Sequence, residues 1–300
     1  MKTELNRIEL TKEQAEKLKN KYADLIPSNA PELGGQAPSG EKCPHCGAEM
    51  PRICFILGTT LLFTPHDIDC TCTEATAERE AKEAQRKKEK EEAAAQERAE
   101  KIERMQRRAG MGERERRKTF DNMEQTPDNF SAIMEAREYA TAYTEKTQRE
   151  KSSLYICGDL GTGKTHLAAA IANQIIQHGR AVKFTTFSRM LQDIRAAFYA
   201  DTRETEAEAV KRYQNAPILF IDDLGKEKAT EWNIALLFSL IDYRYCNGLP
   251  TIITSNYTLD DLADKLTPIG GDKMTAEAIT DRLWEECQQI KINGQSWRRR

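Results

Sequence analysis

Gly158-Asp159-Leu160-Gly161-Thr162-Gly163-Lys164-Thr165 fills every fixed position of an eight-residue phosphate-binding loop. An apolar run at 154–157 precedes it as a strand, and "THLAAAIANQII" follows as a helix. Glycines let backbone N–H groups converge on phosphate oxygens, and the helix N-terminus adds its partial positive charge. Lys164 is expected to reach the β- and γ-phosphates of ATP, and the Thr165 hydroxyl to ligate Mg2+. A second apolar strand, "ILFIDDLG", ends in two carboxylates. Asp222 would hold the Mg2+ through its water shell, and Asp223, one residue on, would polarise the attacking water. A third strand ends in "TIITSN", where Asn256 would orient that water; the same residue is also an ordinary turn former.

The cysteines suggest a second chemistry. Cys43-Pro44-His45-Cys46 is a C-x-x-C knuckle, and Cys70-Thr71-Cys72 supplies two more thiols beyond residues 47–69. Four thiolates complete a closed tetrahedral Zn2+ site. Cys54, His45 and His66 are looser-spaced substitutes, and unligated reduced thiols are the bland alternative. A redox role for the knuckle lacks the strand–helix unit that such cysteines sit in. So small a segment is expected to hold little apolar core, so the metal would supply much of its folding energy. Cys157, Cys246 and Cys287 fall in strands or helices and read as packing residues.

These groups need elements to position them, and the 300-residue composition divides into three. Residues 1–73 hold five of the eight cysteines. Thr11 and Gln14 form a capping box that opens a helix carrying Leu18 and Leu25, and "PSNAPELGGQAPSG" reads as a flexible linker. Residues 74–118 are strong helix formers with opposite charges four apart, as in Glu83 and Lys87. Apolar heptad positions are nearly absent, so this segment reads as a solvated helical linker, with a docking helix as the alternative. Residues 119–300 alternate short apolar strands ("SLYIC", "AVKFTTF", "PILFID", "PTIITS", "CQQIKI") with amphipathic helices, the pattern of an α/β domain with a parallel sheet. Mean hydropathy is −0.69, no run approaches a membrane span, and the polar N-terminus shows no export signal, so a cytoplasmic protein with reduced thiols is expected. The net charge of −3 leaves any nucleic-acid affinity to a local patch.

From "TFDNM" through the phosphate loop to "FSRMLQDIRAAF", and on through "FIDDLG", "TSN" and "ITDRL", the chain resembles the DnaC-type replicative helicase loaders, a branch of the AAA+ ATPases. IstB-type transposition ATPases share much of the pattern. The resemblance spans about residues 110–300 and implies a five-stranded sheet of order 5-1-4-3-2 with no C-terminal lid, which favours a switch over a motor. It also implies ATP-dependent self-association, weak hydrolysis stimulated by single-stranded DNA, and delivery of a hexameric DnaB-type helicase onto that DNA. Residues 1–73 would then be the helicase-gripping module.

By that resemblance, Arg282 in "AITDRL" is the arginine finger for a neighbouring subunit; a surface arginine paired with Glu285 or Glu286 is the alternative. Many relatives carry a further arginine where this chain has Ala278, and most have glutamate where it has Asp223, which puts the hydrolysis rate in question. Phe198, Thr230 and Trp232 correspond to pore-facing DNA contacts, with core packing as the default for the two aromatics. Three other readings stand beside the loader: a transposition helper on double-stranded DNA, a small-molecule kinase, which would need an arginine-rich lid that is not evident, and a pure binding protein that never hydrolyses.

Overall fold

A computed structural model describes residues 7–22, 26–33, 40–144, 151–199 and 205–297, with the side chains of 7, 64–67 and 198–199 outside that set. The chain divides into two units, Met1–Gln96 and Glu97–Arg300.

In the first unit, β1 (Arg7–Glu9), α1 (Lys12–Tyr22), β2 (Ile26–Pro27) and a 3-10 turn (Pro31–Leu33) precede the hairpin β3 (Arg52–Leu57) and β4 (Thr60–Asp67). The capping box at α1 forms reciprocally: Thr11 N donates to Gln14 Oε1 at 2.9 Å, and Gln14 N to Thr11 Oγ1 at 3.3 Å. The sheet is antiparallel with order β1-β4-β3-β2, and Gly58 at φ 67° turns the hairpin. Leu18, Ile26, Leu33, Cys54, Leu61 and Phe63 join Ala30 in a small core. Ala30 and Leu33 lie in the stretch read as a linker, so its first half is folded. Leu25 and residues 34–39 lie outside the described residues.

Helix α2 (Thr73–Arg108) runs through the charged segment with no buried side chain. In the second unit, Ile102 and Met105 pack against the core, and Ala109 and Met111 are buried. Residues 97–118, read from composition as part of the linker, thus carry packing contacts of that unit.

The second unit continues with α3 (Glu113–Arg116), α4 (Phe130–Thr144), β5 (Ser153–Cys157), α5 (Lys164–Gln177), β6 (Lys183–Thr186), α6 (Phe187–Tyr199), α7 (Glu206–Gln214), β7 (Leu219–Leu224), α8 (Glu231–Cys246), β8 (Thr251–Ser255), α9 (Leu259–Leu266), α10 (Met274–Glu286) and β9 (Cys287–Lys291). All strand pairs are parallel, in the order β9-β5-β8-β7-β6, which is 5-1-4-3-2 counted within this sheet. Alternate strand residues feed opposite faces. Leu154, Ile156, Phe220 and Ile252 join the core with α4 and α5, whereas Tyr155, Cys157, Ile221 and Ile253 join the core with α6 to α10. Covering both faces leaves the C-terminal strand ends as the open rim, where ligands bind in such sheets. Among the described residues, no helix is long and apolar enough to cross a membrane.

Candidate functional site

The phosphate loop leaves β5 at that rim. Gly161 and Gly163 sit at φ 84° and 106°, where a side chain would be strained, and Gly163 starts α5. Lys164 is buried, and its Nζ donates to Gly158 O at 2.8 Å and Asp159 O at 2.7 Å. Thr162 Oγ1 closes the turn onto Asp159 O at 2.9 Å.

Asp222, at the end of β7, is buried and receives two hydroxyls: Thr165 Oγ1 at 3.1 Å and Thr254 Oγ1 at 2.6 Å. Burial raises its pKa, the negative charge of Asp223 adds to the effect, and the two hydroxyls oppose it. Asp223 sits within β7 at φ 59°, its backbone N donating to Thr254 Oγ1 at 2.9 Å. The pairing register with β8 shifts between Ile221 and Leu224, a bulge that interrupts the regular ladder at these two carboxylates. Aspartate tolerates this left-handed conformation better than most residues. Its carboxylate accepts from Lys226 Nζ at 3.2 Å.

Leu160, Gly161, Gly163, Lys164, Thr165, Asp223 and Asn256 line one cleft of about 210 Å3. Asn256 Oδ1 is buried there, and among the described residues no hydrogen-bond partner reaches it. A buried orphan oxygen is costly and needs a reason, and a ligand or water in the cleft supplies one. The hydroxyl and carboxylate of Thr165 and Asp222 are the hard oxygen donors that Mg2+ takes, so the residues fit a Mg–nucleotide.

Spacing missed four more lining residues: Lys118, His166, Lys226 and Trp297. His166 follows the motif directly, the one sequence signal available for it. Burial lowers its pKa, and its Nε2 lies 2.9 Å from Thr119 O and 3.0 Å from Asn122 Oδ1.

The remaining candidates lie elsewhere. Arg282, on α10, is not among the residues lining this cleft. Its Nε donates to Asp242 Oδ1 at 2.8 Å, its Nη1 to Ala278 O at 2.9 Å, and its guanidinium lies over Phe238. The carboxylate beside it belongs to α8, and not to Glu285 or Glu286 as its own helix suggested. Thr230 caps α8, accepting from Asn233 N at 3.2 Å. Trp232 is 38% exposed with the Arg195 guanidinium 4.7 Å from its ring centre. The Phe198 side chain lies outside the described residues.

In the first unit, the thiol sulfurs of Cys43, Cys46, Cys70 and Cys72 all lie within 4.8 Å of one another, and none is in a disulfide. Cys43 to Cys72 is 3.8 Å and Cys46 to Cys70 is 3.4 Å. A tetrahedron of sulfurs about 2.3 Å from a central Zn2+ has edges of about 3.8 Å, so the cluster could hold the ion. Gly47 at φ 75° closes the knuckle, with Cys43 N donating to Ala48 O at 2.8 Å. Backbone N–H groups of Cys46 and His45 pull the Cys43 pKa down to about 6, toward the thiolate a metal requires. The substitutes fall away: Cys54 is in the core and His45 pairs with Glu78 at 2.7 Å, while the His66 side chain lies outside the described residues.

The parallel sheet of this order, with a phosphate loop and acidic strand end at its rim, defines an ATP-binding fold of the AAA+ class. The chain belongs to the IstB-like ATP binding protein family, whose profile matches residues 68–300. It is 32% identical over 148 residues to a putative ATP-binding protein in an insertion sequence of Mycobacterium tuberculosis, covering 49% of this chain and 56% of that one. It is 26% identical over 176 residues to the replicative helicase loader DnaI of Bacillus subtilis, covering 57% and 55%. A solved structure of the DnaC helicase loader superposes with TM-score 0.50 at 25% identity, covering 61% of this chain and all of that one. The chain spans 55–60% of the length of the first curated relatives it matches.

Proposed function

We propose that this protein is an ATP-dependent switch that loads a hexameric DnaB-type replicative helicase onto single-stranded DNA in the cytoplasm. The observation that carries the reading is the convergence of Lys164, Thr165, Asp222, Asp223 and Asn256 at the rim of a sheet resembling that of the DnaC loader.

In this reading the phosphate loop, residues 158–165, cradles ATP, and Lys164 gives up its loop carbonyls to neutralise the β/γ-phosphates. Thr165 and Asp222 would hold Mg2+, which would offset charge on the phosphates when bound. Asp223 takes the proton of the attacking water, and Asn256 Oδ1 accepts a hydrogen bond from it. Subunits self-associate, and Arg282 reaches a neighbour's γ-phosphate. Phe198, Thr230 and Trp232 meet the DNA. Residues 1–73, pinned by Zn2+ on Cys43, Cys46, Cys70 and Cys72, grip the helicase, and residues 74–96 link the two.

The similarity to an insertion-sequence protein favours one second reading, a transposition helper on double-stranded DNA. The test mixes the protein with its host's replicative helicase and MgATP. The loader reading expects a stable complex and helicase activity on closed single-stranded circles. No complex, together with ATP-dependent binding to duplex DNA alone, would overturn it in favour of the helper.

A further inference from the structure

After β9 the chain folds back along the phosphate loop. Ile292 N donates to Cys157 O at 2.8 Å, and Trp297 N donates to Gly161 O at 3.1 Å. Between these two bonds the contact is close. A Cβ on Gly158 would lie 2.2 Å from Ile292 O, and one on Gly161 2.1 Å from Ser296 Oγ. The first and fourth positions of the loop, already at φ 153° and 84°, are thus held to glycine from both sides: phosphate approaches one side of the backbone, and residues 292–297 occupy the other. The backbone bond at Gly161 fixes where residue 297 sits, and its side chain lines the nucleotide cleft. The other long side chains there, Lys118, Lys164 and Lys226, are cationic, and Trp297 is the one tryptophan or tyrosine among the lining residues described.

We infer that the Trp297 indole contacts the bound nucleotide, and that residues 292–297 form a wall of the ATP site. This rests on the ATP reading of the cleft. An indole offers a flat apolar face and one N–H donor, so it suits a base, a ribose or a phosphate oxygen without competing with the lysines for charge. Because the segment is held by backbone bonds, replacing the side chain removes the contact and leaves the wall in place.

The test uses the full chain and MgATP. Indole emission of the wild type is expected to change on titration, and that change is expected to disappear in Trp297→Phe, in which Trp232 and Trp284 remain. Calorimetry is expected to show Trp297→Ala binding MgATP about 3- to 10-fold more weakly. Unfolding temperatures of Trp297→Ala and Trp297→Phe that match the wild type exclude a folding defect as the cause. If Trp297→Ala binds as tightly as wild type, with the emission change intact, the contact does not exist. Lys164→Ala keeps that failure distinct: it must abolish binding if the ATP reading holds. A wild-type protein that binds no MgATP would overturn both inferences, the ATP reading first.

Discussion

Arg282 sits in an ion pair with Asp242 whose two side chains are 27% and 37% exposed. A pair this open is worth about 0–1 kcal/mol in water, less than a triphosphate in a dry interface offers an arginine. The cis contact with α8 is therefore weak enough for a neighbour's nucleotide to outcompete if Arg282 acts in trans, as proposed, and a mixing experiment discriminates. Lys164→Ala subunits and Arg282→Ala subunits should each hydrolyse ATP poorly. Mixed together, some interfaces pair an intact loop with an intact arginine, and activity should partly return with protein concentration and single-stranded DNA. Mixtures as inactive as either parent, with oligomers still present by light scattering, would show that Arg282 does not act in trans.

Among the elements, the joint between helices and strands depends on a residue with no catalytic candidacy. Arg244, in the last turn of α8, is 1% exposed. It donates to Thr251 Oγ1 at the start of β8 and to the carbonyls of Tyr213, Gln214, Ala216 and Pro250, at 2.6–3.1 Å. Burial lowers its pKa to about 10, still charged at neutral pH. One guanidinium thus satisfies carbonyls from the end of α7 and the approaches to β7 and β8, the strands that deliver Asp222 and Asn256. Each buried carbonyl left unpaired costs about 1–3 kcal/mol. Arg244→Ala is expected to destabilise the second unit by roughly 3 kcal/mol or more, a fall in Tm of about 6–12 °C for a unit of this size. A drop of under about 2 °C by calorimetry would show that water replaces the guanidinium there.

At the scale of the whole molecule, the two units hold different chemistries and should respond separately. Among the described residues the first unit's core cluster has seven buried apolar members, so four metal–thiolate bonds would be a large share of what holds it. Gently purified protein is expected to contain about one zinc per chain. Chelation should collapse protection of the Cys43–Cys72 region from hydrogen exchange and leave MgATP affinity unchanged. Metal-free protein with full protection of that region would refute the zinc assignment; a parallel loss of ATP binding would refute the independence of the units.

What the sequence by itself determined is what neighbouring residues decide together. The phosphate loop is eight consecutive positions whose glycines answer to local φ. The five strands of the second unit are apolar runs bounded by turns, and the α1 capping box needs only Thr11 and Gln14. The C-x-x-C knuckle is likewise local, and the second pair of thiols joined it by chemistry alone. The β3–β4 hairpin is legible in principle, from Gly58 between two apolar runs. The tertiary structure alone decided the rest, because the partners lie far apart in the chain. Parallel pairing brings Asp222 and Asn256 to the rim beside Lys164, where their strand-end positions had already placed them, although no spacing rule links those positions. It turns Arg282 to Asp242, 40 residues away. It folds Trp297 back onto Gly161 across β9, a contact made by a backbone N–H and a carbonyl that every residue carries and no sequence pattern can announce.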